Sequence, residues 1–582
     1  MNIINSIVLL VTILTSNAAV TVRCSPPEDP IECKGAARNS NCTITNSYGA
    51  FPDRSTCRAA EAVYPTSEAE LVAAVAAAAA AGRKIKVATR YSHSITKLVC
   101  PDGEEGVLIS TKYLNRTLEV DAAGMSMTVE SGVTLRQLIG EAARAGMAVP
   151  YAPYWWGLTV GGMMGTGAHG SSLWGLGSQV HDRVTRLTIV SPARPHLRVL
   201  EAGDPDLDAA KVSLGVLGVI SQVTLKLEGL FKRSVTYVTK NDSDLGEQVV
   251  GFGRQHEFAD FTWFPSQKRV IYRIDDRVST NASGNGLNNF PGFRSTSSLV
   301  LATLRTTEET QESLGDANGK CINGRTTTAF LRATAFGLTN DGVSFKGYPV
   351  VGYQNRIQAS GTCLDSPDDA RITACPWDPR IKGLFFHQTT FSIALSRATA
   401  FIRDVQSLVA LAPQALCGLD LYNGILMRYV TASTAYLGKQ GDAIDFDISY
   451  YRSQDPLRPR LYEDVLEEIE QMAVFKYGAL PHWGKNRNVA FLGAIGKYRD
   501  GARFVEVKRR YDPEGLFSSR WTDQMLGLAD GLSIVREGCA LEGLCICSQD
   551  IHCAPKKGYV CVPGKLYDKA RVCAKLKTGV IF

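Results

Sequence analysis

The chain has 582 residues, of which 45% are hydrophobic and 21% charged, and a net charge of +6. The length exceeds one compact core, and the composition is that of a folded globular protein, which excludes a disordered or fibrous chain. The charges are scattered rather than blocked, so no nucleic-acid partner is expected.

Ile4 to Thr15 is almost wholly apolar, and small residues follow at Ser16, Ala18 and Ala19. The run is too short to cross a bilayer and has the length of a secretory signal. Residues 1–19 are read as a signal peptide and the mature chain as secreted. No later stretch has the length and apolarity of a membrane span. The 15 cysteines agree with an oxidising compartment. Cys24, Cys33, Cys42 and Cys57 fall in a lead-in over 20–57. Cys539, Cys545, Cys547, Cys553, Cys561 and Cys573 crowd a tail over 526–582, which reads as a small disulfide-stapled module. Zinc fits that tail poorly, because no ordered C-x-x-C pair occurs. Sequons at Asn41, Asn115, Asn241 and Asn281 are candidate glycan sites behind a signal peptide.

From Tyr64 the pattern becomes regular. Thr66 or Ser67 caps a helix, Glu70 supplies a capping box, Gly82 stops the helix and "KIKVAT" follows as a strand. This strand runs into a loop containing His93. "GVLIST" and "SMTVESGV" read as strands, "TLRQLIGEAARAG" as a helix, and "VTRLTIVSP" and "ISQVTLKLEG" as strands. Residues 58–230 therefore form one α+β nucleotide-binding lobe. Over 231–525, strand patterns such as "RVIYRID" and "FDISYYRS" alternate with helical ones such as "RATAFIRDVQSLVALA" and "LYEDVLEEIEQMAVF", giving a second α+β lobe. Residues 278–345, rich in Ser, Thr, Gly and Asn, read as an irregular insertion.

Between Gly157 and Gly177 lie eight glycines, at 157, 161, 162, 165, 167, 170, 175 and 177. Glycine permits close backbone approach and positive φ, and successive free N–H groups make an anion site for a pyrophosphate. The segment lacks the GK[ST] of a P-loop, and its context is not that of a Rossmann fingerprint. Val160, Met163, Met164 and Trp174 make it apolar, so it reads as a buried loop around a cofactor, with His169 at its centre.

"GGMMGTGAHGSS" followed by "VTRLTIVSP" resembles the FAD-binding lobe of the vanillyl-alcohol-oxidase-type flavoproteins. The nearest branch is the sugar-lactone (aldonolactone) oxidases, and within it the plant L-gulonolactone oxidase-like proteins. "DLDAAKVSLGVLGVISQVTLKLE", "LPHWGKNRN" and "FVEVKRRYDPEGLFSS" agree with it, so the resemblance spans about 58–525. It implies a two-lobed FAD fold, with Gly161, Gly162, Gly165, Thr166, Gly167, His169, Gly170, Ser171, Ser172, Gly218 and Ile220 at the cofactor. It also implies His93 as a covalent flavin anchor, although Arg90, Tyr91 and Ser92 replace the usual glycines around it.

Hydride transfer to a flavin leaves negative charge on the ring, which a nearby cation stabilises, and the oxidised hydroxyl must lose a proton. Lys485, in "HWGK", and Arg428, in "NGILMRYVT", match cationic positions of the resembling oxidases. Many of those carry Glu-x-Arg at the second site, where this chain has Leu426. Asp447 and Ser449 are weaker pocket candidates, and a surface ion pair is the preferred reading of Asp447. The expected reaction is oxidation of an aldonolactone, L-gulono-1,4-lactone first, with O2 or another acceptor. An alditol, galactonolactone or oligosaccharide oxidase or dehydrogenase is the alternative, as is a secreted binding protein of the same fold. The cell wall or vacuole is included among the destinations of the secreted chain.

Overall fold

Ser67 caps the first helix as expected, but the reciprocal capping box does not form, because the Glu70 carboxylate accepts from the Thr66 amide and hydroxyl instead. The computed structural model describes residues 29–35, 39–175, 177–365 and 373–576. The signal-peptide reading and Cys24 lie outside these. The Ser67 hydroxyl accepts the Glu70 amide at 3.2 Å at the head of α1 (Glu68–Ala80), and Thr134 and Gln137 form a reciprocal capping box on α2 (Leu135–Arg144). Gly82 and Gly146 follow these helices with φ of 62° and 73°, a conformation in which a Cβ would be strained.

β1 (Ile31–Cys33), β2 (Ser40–Ile44), β3 (Cys57–Val63), β4 (Ile85–Ala88) and β5 (Val107–Ser110) form one sheet in the order β1-β2-β3-β5-β4. The cysteine-rich lead-in is therefore no separate leader. Its two strands extend the sheet and are tied by Cys33–Cys42 and Cys57–Cys100. A second sheet holds β6 (Thr117–Asp121), β7 (Ser126–Glu130), β8 (Val184–Val190), β9 (Leu197–Glu201) and β10 (Val219–Lys226), ordered β9-β8-β10-β7-β6. The glycine-rich segment is not all loop. Thr159 caps a short helix, α3 (Val160–Thr166), that ends at Gly167 with φ of 67°. Val160, Met163 and Met164 turn into the core on one side, and that burial outweighs the poor helix propensity of glycine.

The second lobe is an eight-stranded antiparallel sheet. Its strands are β11 (Lys232–Asn241), β12 (Asp260–Phe264), β13 (Arg269–Val278), β14 (Val350–Tyr353), β15 (Phe386–Ala394), β16 (Ile425–Val430), β17 (Ala443–Tyr451) and β18 (Leu480–Pro481). They run in the order β14-β11-β13-β12-β16-β17-β15-β18. Helices α4 (Leu245–Gln255) and, further on, "RATAFIRDVQSLVALA" pack on one face of it.

The insertion at 278–345, expected to be irregular, contains two helices, α5 (Ser298–Leu314) and α6 (Ala317–Ala333). Their Ser, Thr and Gly content hides the period. The hydroxyls of Thr303, Thr310, Thr326 and Thr328 are satisfied by the carbonyls four residues earlier, and Cys321–Cys417 ties α6 to the rest of the lobe. Such back-bonded threonines are neutral in helices only when tertiary contacts hold them.

α7 (Leu395–Leu411) is the covering helix just mentioned. All nine residues of α8 (Glu463–Gln471) are buried although five are acidic. The cysteine-rich tail explains this. Its hairpin, β19 (Tyr559–Pro563) and β20 (Arg571–Lys575), lies on α8. Glu468 accepts the amides of Lys565, Leu566 and Tyr567 at 2.6–2.7 Å, and Glu467 accepts that of Cys573 at 2.7 Å. The tail cysteines pair 539–545, 547–561 and 553–573. Beyond α8 the chain returns to the first lobe: Phe504, Val507 and Tyr511 of α9 (Gly501–Tyr511) join its core. Among the described residues no helix is long and apolar enough to cross a membrane. Asn41, Asn241 and Asn281 are exposed and Asn115 is half-buried.

Candidate active site

Strand alternation builds the site. On β16, Ile425, Met427 and Tyr429 face the helices, and on β17 so do Ile444, Phe446 and Ile448. Period two then sends Leu426, Arg428, Asp445 and Asp447 to the opposite face, toward the first lobe. Register places Asp447 opposite both Leu426 and Thr390, and Asp445 opposite both Arg428 and Ser392.

Asp447 is buried, so its preferred reading as a surface ion pair is wrong: the alternation that carries its apolar neighbours inward carries it into the space between the lobes. One carboxylate oxygen accepts Lys485 Nζ at 2.6 Å, and the other accepts Arg428 Nε at 2.9 Å. The Thr390 hydroxyl and Arg428 Nη2 also donate to it. Burial alone would raise its pKa, but the two cations outweigh burial and hold it well below the usual carboxylate range. Burial lowers the pKa of Lys485, and Asp447 opposes that fall. Arg428 also donates to the His169 carbonyl at 3.0 Å, reaching across to the glycine-rich segment.

His93 approaches from the other lobe. Its Nδ1 lies 2.8 Å from the Ser47 hydroxyl, and Tyr48, Trp155 and Trp377 surround the ring at 5.8–5.9 Å between centroids. Burial, then the charge of Lys485, lowers its pKa to about 4, so the imidazole is neutral near pH 7. Gly484 closes the arrangement: a Cβ there would lie 3.2 Å from Thr166 and 3.3 Å from the Ser94 hydroxyl. The His93 loop, α3 and the HWGK turn therefore meet.

The glycine-rich candidates divide by role. Gly161, Gly162, Gly165 and Thr166 keep exposed surface although core surrounds them. A Cβ on Gly165 would meet nothing within 4 Å, so a cradle lies open beside it. Gly167 ends α3. The remaining residues join the lobes or pack. His169 Nε2 lies 2.9 Å from Asp445, and a Cβ on Gly170 would come within 2.8 Å of the Tyr151 backbone. The Tyr429 amide donates to Ser171 Oγ at 3.0 Å, and the Ser172 amide to the Tyr429 carbonyl at 3.1 Å. Gly218 has φ of 134°, and its missing Cβ lets it approach Val190 O on β8. Ile220 is core, opposite Ile189.

The residues present fit FAD. Around α3 the hydroxyls of Ser92, Ser131 and Ser213 and the indole nitrogen of Trp155 are buried with no protein partner. Ser131 lies under Gly161, and Ser213 precedes the residue whose amide donates to Gly165 O. Buried polar atoms need partners, and a ligand rich in phosphate, hydroxyl and heterocyclic acceptors supplies them. Sequence reasoning missed Ser47, Trp155 and Trp377. They come from the lead-in and from loops, and no local pattern announces them. Asp447 had a signal: "AIDFDIS" alternates acidic and apolar residues.

A FAD binding domain family matches residues 59–195, a D-arabinono-1,4-lactone oxidase family matches 383–525, and an L-gulonolactone oxidase 2-like C-terminal domain matches 536–575. Probable L-gulonolactone oxidase 6 of Arabidopsis thaliana is 64% identical, with 96% of this chain and 94% of that protein aligned. L-gulonolactone oxidase 2 of Arabidopsis thaliana is 63% identical, over 96% and 95%. A solved structure of a solvent-stable cholesterol oxidase superposes with a TM-score of 0.63 at 17% identity, over 83% of this chain and 97% of that one. That last likeness is one of fold, the two-lobed flavoprotein architecture expected from the sequence.

Proposed function

Since the chain belongs to the plant L-gulonolactone oxidase family, we propose that it oxidises L-gulono-1,4-lactone with O2, giving hydrogen peroxide and a 2-keto lactone that tautomerises to L-ascorbate. Bound FAD supplies the hydride acceptor. Gly161, Gly162, Gly165 and Thr166 would hold it along α3, and His93 would face its ring.

The observation that carries the reading is the Arg428–Asp447–Lys485 triad, on the polar face of the second sheet, with the neighbouring Gly484 packed against Ser94 of the His93 loop. Asp447 fixes both cations in a largely buried site, where charge acts more strongly than in water. Arg428 and Lys485 stabilise negative charge that develops beside them, and Lys485 is placed to take part in moving the lactone hydroxyl proton. A neutral His93 is a free nucleophile, and Ser47 sets the orientation of its ring. We therefore assign His93 as the covalent flavin anchor.

We also propose that residues 1–19 are removed and the mature protein is secreted, with glycans at the exposed sequons. The three module disulfides support an oxidising destination. The test of function is peroxide release from the purified yellow protein against a panel of lactones and alditols. Release with gulonolactone is the expected result, and release with alditols alone selects the other substrate class. A colourless protein that binds sugars without release would make it a binding protein.

A further inference from the structure

Besides Lys557, which reaches Asp455 and the Leu457 carbonyl, the C-terminal module contacts the second lobe through its hairpin and through a loop. The β19–β20 hairpin is already fastened to α8. The second contact is the short loop closed by Cys539–Cys545. The Leu541 carbonyl accepts Arg487 Nη1 at 3.4 Å, and the Gly543 carbonyl accepts the Val489 amide at 3.1 Å. Gly543 has φ of 64°, and a Cβ would come 2.5 Å from Arg487 Nε, so this approach requires glycine. Arg487 and Val489 stand two and four residues after Lys485.

Glu542, between those two carbonyls, is buried and accepts from Arg54 at 2.9 Å and from Arg452, with His387 Nε2 3.9 Å away. Arg452 directly follows β17, the strand of Asp447, and His387 lies on β15, the strand of Thr390. Burial acts to raise the Glu542 pKa, and Arg452 and Arg54 outweigh it, so a fixed anion holds these ends together. One seven-residue disulfide loop thus grips the Lys485 turn and the ends of the strands that carry its counter-ion.

We infer that the Cys539–Cys545 loop is a positioning element of the active site, with Glu542 and Gly543 setting where Lys485 stands relative to Asp447. This rests on the reading of Lys485 as a catalytic residue. Small displacements of a catalytic group cost large factors in rate, so the module acts on the chemistry while remaining outside the pocket.

The test uses the full-length, FAD-loaded protein in five forms: wild type, Glu542→Gln, Cys539→Ser/Cys545→Ser, Lys485→Met and Glu542→Gln/Lys485→Met. Amide hydrogen exchange over 482–490 is measured alongside anaerobic flavin reduction by the lactone. In the first two variants, exchange at 486–490 is expected to quicken at least about tenfold. Reduction is expected to slow by about tenfold or more with FAD content unchanged. Glu542→Gln added to Lys485→Met should slow reduction no further, because the two act through one group. Wild-type exchange or wild-type reduction in both module variants, beside a slow Lys485→Met, overturns the inference. A fast Lys485→Met instead overturns the assignment of Lys485 itself, and the inference with it.

Discussion

Asp447 stands directly opposite Leu426 across β16 and β17, and its carboxylate reaches Arg428, two residues along from Leu426. A Glu-x-Arg pattern, as the resemblance leads one to expect, would put the acid on the arginine's own strand. Here the acid arrives from the neighbouring strand, so Arg428 keeps a carboxylate partner although position 426 is apolar. The sheet pairing, and not the local motif, supplies the charge.

That relation fixes the outcome of exchanging the acid. Leu426→Glu alone sets two carboxylates opposite one another in a buried site and is expected to lower both stability and flavin reduction by the lactone. Asp447→Asn leaves Arg428 and Lys485 without their anion, and breaking a buried pair this way costs about 3–5 kcal/mol. The combination Leu426→Glu/Asp447→Asn restores one carboxylate and should recover much of both losses. Thermal melts and anaerobic reduction of the three variants check this, and a gain in activity from Leu426→Glu alone would contradict it.

Ser47 and His93 are coupled through one hydrogen bond. In Ser47→Ala the ring loses its fixed orientation, so less flavin should remain attached after acid precipitation while native FAD content is unchanged. His93→Ala should release all flavin into the acid supernatant. If wild-type protein itself releases its flavin, the covalent assignment is lost and only the proximity of His93 to the site remains.

The glycine-rich run offers a contrast between two glycines. Gly165→Val fills the open cradle and should give a stable but colourless protein. Gly218→Ala meets Val190 O in a left-handed conformation, so it should lower the melting temperature by strain while whatever folds remains yellow. Flavin absorbance per folded protein, followed with the melt, separates them. Equal loss of colour in both would remove the distinction.

Glu467 and Glu463 lie one turn apart on buried α8. Burial raises both pKa values, to about 8 and about 7 respectively. The ordinary value in the unfolded chain is near 4.5, so between that pH and about 8 the native state holds more protons than the unfolded one. Stability from this pair is therefore full below pH 4.5 and falls as pH rises toward 8. Glu467→Gln keeps an acceptor for the Cys573 amide but carries no charge. It should raise the melting temperature at pH 8 and leave it unchanged near pH 4.5. An equal shift at both values would show that ionisation of Glu467 plays no part.

Legibility in the sequence follows locality. Caps such as Thr134 with Gln137, and alternating strands such as β8 and β10, are decided within a few residues and are readable. Helices α5 and α6 are hidden because their many Ser, Thr and Gly residues dilute the apolar period. The loop reading of 160–166 missed that Val160, Met163 and Met164 provide a helical anchor. Arg428, Lys485 and His93 were found through the resemblance, and Gly161 to Thr166 through glycine density. Ser47, Glu542 and the true place of Asp447 depend on contacts between distant segments, which no local pattern encodes.

Arg428 and Lys485 separate catalysis from folding. Removing one charge-stabilising donor typically costs about a hundredfold in turnover. Lys485→Met retains length and an apolar stem, so FAD content should hold while flavin reduction by the lactone slows by about that factor. Asp447 then keeps Arg428 as its one strong cation, and the melt should shift little. Arg428→Met removes the bond to the His169 carbonyl as well as the charge. It is expected to slow reduction and also to raise the lactone concentration required, because the link from β16 to the glycine-rich segment is lost. Stopped-flow reduction at 450 nm across lactone concentrations resolves the two effects. If both variants reduce at the wild-type rate and differ only in melting temperature, these cations serve the interface between the lobes and the chemistry resides elsewhere in the second lobe.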